Sequence, residues 1–182
     1  MFTKKTTLII PTRNRPYFLL KLLKNLKNLK IKFKEIIIID SSNKEIKIKI
    51  NNMIKNFNCK IYHSKPSTSL QRNIGLKNKN KRSKYVMFLD DDIIFKKNSF
   101  LNLNNKIIFH EKNKSKILGY GFNQNKKTKK SLLEDIKKSK ISKVFGLYSK
   151  KNGIVMSSGW QTKILNISDD TLTEWIPTGA AV

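Results

Sequence analysis

The chain carries 182 residues, 38% of them hydrophobic, with 39 Lys plus Arg against 12 acidic residues, a formal net charge of +27 and one cysteine. That length suffices to bury a sizeable core in one domain, or in part of a larger one, while the lone Cys59 excludes an intramolecular disulfide and reads as a small core residue in a reducing compartment. No stretch approaches the roughly 18 apolar residues that span a bilayer, and no cleavable signal follows Met1, so a cytoplasmic protein is expected, one whose charge permits peripheral contact with an anionic leaflet.

Thr6 to Ile10 is a β-rich run stopped by Pro11, and Pro16 to Leu29 shows apolar residues at helical spacing. Between them the loop Pro11-Thr-Arg-Asn-Arg15 joins a strand's carboxyl end to a helix amino end, where α/β sheets line their ligand crevices. Glu35 to Asp40 is continuously apolar up to its last residue, as a doubly covered parallel strand should be. Asp40 either accepts hydrogen bonds from a nucleoside or caps the helix predicted over Lys44 to Phe57. Cys59 to Tyr62 is a short third strand, and His63 at its end reads as structural. Thr68 to Lys77 reads as a helix with Leu70, Ile74 and Leu76 partly buried, Arg72 and Asn73 to one side, and Gly75 permitting close packing on the sheet.

Tyr85 to Leu89 is the central strand, and it delivers Asp90, Asp91 and Asp92 to its carboxyl end. Three adjacent carboxylates repel and raise one another's pKa unless a cation joins them. Hard oxygens of this kind suit Mg²⁺ or Mn²⁺, which takes one or two carboxylates and completes its shell with water and phosphate; the alternative is an acidic turn capping the next helix. Ser99 to His110 is predicted helical and Lys116 to Phe122 a strand with two glycines. Further on, a basic loop over Asn123 to Lys130 and a helix over Ser131 to Lys138 precede short strands at Val144 to Tyr148, Gly153 to Met156 and Thr171 to Ile176.

The basic excess suggests nucleic acid, an anionic membrane or a phosphorylated substrate. Lysine is nevertheless spread over nearly every segment beside abundant Asn and Ile, which a drift toward AT-rich codons produces equally well, so no specific nucleic-acid partner is expected. Only Arg13, Arg15, Arg72 and Arg82 are arginine. A planar fork that Lys cannot reproduce is a reason to keep Arg where phosphate geometry matters.

Taken together, Ile9-Ile-Pro-Thr-Arg-Asn-Arg-Pro16, Ile39-Asp-Ser-Ser42, Leu70-Gln-Arg-Asn-Ile-Gly75, Phe88-Leu-Asp-Asp-Asp92 and Trp175-Ile-Pro-Thr-Gly-Ala-Ala181 resemble family 2 glycosyltransferases of the GT-A fold. The resemblance implies an α/β domain over 1–182 with a mostly parallel sheet flanked by helices, a nucleotide-binding half at 1–92 and an incomplete acceptor half at 93–182. It implies inverting transfer of a sugar from a nucleotide-sugar to a hydroxyl of a glycan, lipid-linked or protein acceptor. By the same resemblance Pro11, Thr12, Arg13, Asp40, Arg72, Asn73, Asp90 and Asp91 bind the donor, and Asp90 and Asp92 bind the metal. The chain departs from the family at Arg13, often Tyr there, and at Asp40-Ser-Ser42, which lacks a glycine. It also ends before the acidic motif that supplies the family's general base, so the base is expected beyond Val182, with Glu174 the best internal candidate. A basic nucleic-acid-binding protein and another metal-dependent nucleotide transferase are the competing readings, although no glycine-rich phosphate loop is present.

Overall fold

The computed structural model describes residues 1–122, Thr173 and the backbone of Ala180–Ala181. Two compact units divide the chain, Met1–Gly119 with Thr178–Val182, and Tyr120–Pro177; the description that follows is of the first. A 3₁₀ turn at Phe2–Lys5 leads into β1 (Thr6–Thr12), α1 (Pro16–Asn28), β2 (Glu35–Asp40), α2 (Lys44–Ile54), β3 (Lys60–His63), α3 (Thr68–Lys77), β4 (Tyr85–Leu89), α4 (Ser99–Lys112) and β5 (Ala180–Ala181). The strands lie in the order β3-β2-β1-β4-β5. β1 to β4 are parallel, and β5 runs antiparallel to β4. The expected α/β architecture with a mostly parallel sheet is therefore present.

This order follows from the connections. The units β1-α1-β2 and β2-α2-β3 each step to a neighbouring position, but the chain then crosses back over β2 and β1 to lay β4 on the far side of β1. The sheet thus reverses its winding between β1 and β4, the switch point where such sheets open a crevice at their carboxyl ends. Strand parity divides the core. Ile9, Ile37 and Ile39 face one side with Val86, Phe88, Tyr62 and Ile74, while Leu8, Ile10, Ile38, Met87 and Leu89 are fully buried on the other.

Several boundaries differ from the sequence expectation for identifiable reasons. β1 continues through Pro11 to Thr12, with Pro11 opposite Ile39. The Thr12 carbonyl accepts Ser41 N at 3.1 Å, so Thr12 faces β2 and Pro11 faces the β4 side. There the β1–β4 ladder already ends at Ile9 and Phe88, and the missing proline N–H leaves no ladder bond unmade. α2 stops at Ile54 instead of Phe57 and is capped by Asn43, whose Oδ1 accepts Ile46 N at 3.0 Å; Asp40 is not its cap. Leu70 and Leu76 are exposed, because α3 turns Gln71 and Gly75 to the sheet instead. Lys116 to Phe122 forms no regular strand, only an isolated bridge at Gly121; Leu118 is fully solvent-exposed, and the two glycines add no side chain to pack. Cys59 is half-buried, not a full core residue. The predicted elements between Asn123 and Ile176, and the acids Glu134, Asp135, Asp169, Asp170 and Glu174, lie outside the described residues.

Candidate functional site

Thr12, at the end of β1, stands between two buried aspartates. On one side it is in register with Asp40 at the end of β2. On the other its hydroxyl donates to Asp91 Oδ2 at 2.6 Å. Gln71, 4% exposed on α3, donates from Nε2 to the carbonyls of Thr12 at 2.9 Å and Ile39 at 2.7 Å, tying the ends of β1 and β2 together from below. The sequence expectation placed Arg72 and Asn73 on this helix but overlooked Gln71. A long amide four positions before the packing glycine, which puts Gln71 and Gly75 on one face of the helix, was the available signal.

Asp40 is fully buried. Its Oδ1 accepts both the backbone N–H of Ser42 at 2.9 Å and the Ser42 hydroxyl. Its Oδ2 has no hydrogen-bond partner; His63 Nδ1 lies 3.4 Å away without the alignment of a hydrogen bond. A buried carboxylate oxygen without a hydrogen bond is costly in a resting fold.

Two arginines hold the Asp90–Asp92 turn, which is closed by Ile93 N on the Asp90 carbonyl at 3.4 Å. Arg72 Nη2 meets Asp90 Oδ1 at 3.2 Å, its guanidinium 6.0 Å from the Phe88 ring. Arg15 Nη1 lies 3.4 Å from both Asp91 Oδ1 and Asp92 Oδ2. The cation that three carboxylates require is supplied in this structure by the chain itself, and two of the four arginines are spent on carboxylates. Asp91 is buried, and burial pushes its carboxyl up from the ordinary range although Thr12 and Arg15 pull the other way. Both of its oxygens are engaged. Arg13 and Asn73 are exposed, and Arg13 pairs with no carboxylate among the described residues. The turn is anchored further on by Asn25 of α1, whose amide accepts Phe95 N at 2.9 Å and donates to Phe95 O at 3.3 Å. α4 starts only at Ser99, so the triplet does not cap it.

The sequence pattern of glycosyl transferase family 2 matches residues 7–164. The chain belongs to glycosyl transferase family 2. It is a glycosyltransferase domain in which the switch-point crevice, Asp40 and the aspartate turn all fall within the matched span. No curated protein matches the chain. Among solved structures, residues 1–349 of S. aureus TarS in complex with UDP-GlcNAc are 22% identical, covering 65% of this chain and 37% of that one at a TM-score of 0.47. A 4-diphosphocytidyl-2C-methyl-D-erythritolsynthase from Anaerococcus prevotii DSM 20548 is 18% identical, covering 58% of this chain and 52% of that one at a TM-score of 0.47. The chain thus spans 37% and 52% of the length of these two structures. No described helix of the family 2 domain is long and apolar enough to cross a membrane.

The donor set suits a hard divalent ion of limited demand. Among the described residues no three His, Cys, Asp or Glu side chains converge into a preformed cage. Asp92, however, is 48% exposed and Asp90 36%, and each keeps one carboxylate oxygen clear of the arginines, which fits an ion that takes one or two carboxylates with water and phosphate.

Proposed function

We propose that this family 2 domain binds a nucleotide-sugar at the β1/β4 switch point and transfers the sugar, with inversion, to an acceptor hydroxyl. The observation that carries the reading is Asp40, a fully buried carboxylate whose Oδ2 makes no hydrogen bond and has His63 Nδ1 3.4 Å away, at the carboxyl end of a central parallel strand. That oxygen accepts a ring N–H, which favours a uracil- or guanine-type base over adenine or cytosine, whose corresponding ring nitrogens are acceptors. Pro11, Thr12 and Arg13 form the adjoining rim, Asp91 holds Thr12 in place, and Arg72 with Asn73 meets the diphosphate.

Asp92, with Asp90 beside it, would hold Mg²⁺ or Mn²⁺. When bound, such an ion neutralises charge developing on the leaving diphosphate. The chain's own part is to orient donor and turn: Arg72 partitions its donors between Asp90 and phosphate, and Gln71 keeps the two strand ends at fixed separation. An acceptor hydroxyl then attacks the anomeric carbon from the opposite face while a carboxylate takes its proton. That base is unassigned among the described residues. The acceptor is a glycan, a lipid-linked sugar or a protein.

The test is calorimetric titration of UDP-, GDP-, ADP- and CDP-sugars, with and without Mn²⁺, against the parent and Asp40→Asn. Asn would keep an acceptor for Ser42 but turn an NH₂ toward the base's own N–H. At least about tenfold weaker binding is expected, the scale of a lost charged hydrogen bond. Equal affinity in the variant, or no nucleotide-sugar bound by the parent, would overturn the reading.

A further inference from the structure

Arg15 directs a single nitrogen at two carboxylates of different standing. Asp91 is part of the fold, with a side chain 5% exposed and its second oxygen taken by Thr12. Asp92 is 48% exposed and the Arg15 side chain 55%. Both contacts are 3.4 Å, long beside the roughly 2.7–2.9 Å of a tight charge-assisted hydrogen bond. The guanidinium is therefore held by charge, with no two-pronged grip on either partner.

The backbone behind it is firmly placed. Asn14 sits in the left-handed region at φ 54, donates its N–H to Ser42 Oγ at 2.7 Å, and accepts Asn43 N on its Oδ1 at 3.0 Å. Pro16 opens α1 immediately afterwards. Stem fixed and head loose, Arg15 is built to exchange. Arg72 differs: its side chain is 23% exposed, and its contact with Asp90 is shorter at 3.2 Å.

We propose that Arg15 is an exchangeable internal counter-ion of the aspartate turn, one that neutralises Asp92 in the metal-free protein and must be displaced from that carboxylate when a divalent cation binds. This rests on the proposed reading of Asp92 as a metal ligand. A guanidinium at Asp92 Oδ2 both blocks an oxygen and repels an incoming dication, so it lowers metal affinity; in exchange it keeps three adjacent carboxylates from driving the turn apart when no ion is present. Arg15 is thus a positioning residue that sets the metal concentration at which the site fills.

The test is Mn²⁺ titration of the full chain without nucleotide, followed by electron paramagnetic resonance of the free ion, for the parent, Arg15→Gln, Arg15→Lys and Asp92→Asn. Circular dichroism would confirm that each is folded. Arg15→Gln should bind Mn²⁺ at least about tenfold more tightly than the parent, as expected from removing a unit charge within contact distance of the ion. Arg15→Lys, still charged, should fall between them, and Asp92→Asn should lose binding. Should Arg15→Gln bind Mn²⁺ no more tightly than the parent while Asp92→Asn loses it, the counter-ion role is overturned and the metal reading stands. If neither parent nor Arg15→Gln binds Mn²⁺, with or without a nucleoside diphosphate, both are overturned.

Discussion

Gln71 shows how one side chain can join two strands. Its amide serves the carbonyls of Thr12 and Ile39 at once, and Thr12 in turn fixes Asp91. Gln71→Leu removes both donors, and Ile39 O is then a buried acceptor without its side-chain partner. Stability should fall by about 1–3 kcal/mol, read as a lower midpoint in urea at unchanged slope. Gln71→Glu should be worse than Gln71→Leu, since a carboxylate would face two carbonyl oxygens; equal midpoints would remove the strand-tying role. Cys59 offers a second residue-level test. Its thiol, 3.7 Å from the Phe57 carbonyl, is pushed up by burial from 9.0 to about 11. The folded state therefore favours the neutral thiol: its contribution to stability is complete below about pH 9 and is lost as pH rises through 11. At pH 8 its thiolate fraction should be well below that of a free cysteine, and its reaction with a disulfide reagent slower. A rate matching free cysteine would show Cys59 to be solvent-accessible.

At the scale of elements, α3 is set by a glycine. A Cβ on Gly75 would lie 2.4 Å from Ile9 Cγ2, on a fully buried β-branched residue that has little room to shift. Helix propensity alone favours Ala over Gly by about 1 kcal/mol, so the sign of Gly75→Ala decides between propensity and packing. Packing should win, with a net loss of about 1–3 kcal/mol. Combining it with Ile9→Ala should cost less than the sum of the single changes, because the second vacates the contested space. A stabilised Gly75→Ala would mean that α3 stands further from the sheet. Gly75 was legible because a small residue within an apolar helical pattern implies close approach. The exposure of Leu70 and Leu76 was not, because helical spacing alone does not say which stripe meets the sheet once a buried glutamine competes for it.

At the scale of the molecule, +27 invites nucleic acid, yet that charge sits on lysines spread over nearly every segment, and Arg15 and Arg72 are turned inward onto carboxylates. Binding to random duplex DNA should therefore be weak and steeply salt-dependent, fading between about 50 and 200 mM salt. Nucleoside diphosphate binding should persist over that range and respond to Asp40→Asn. Tight DNA binding at 200 mM that survives competition by nucleotide-sugars would restore the nucleic-acid reading.

By itself the sequence determined the alternation of strands and helices, and it put Thr12, Asp40 and Asp90–Asp92 at strand ends, because apolar runs, periodicity and proline are local signals. It also determined family membership, through motifs whose order survives along the chain. Only the tertiary structure decided that β4 crosses back to lie beside β1, which brings Thr12 to Asp91 across 79 positions of sequence. It likewise decided that Asn43, not Asp40, caps α2, and that Arg15 and Arg72 reach the carboxylates first. The physical reason is shared: each depends on contacts between residues remote in sequence, where a guanidinium or a carboxylate can choose among several partners, and local propensity does not rank those choices.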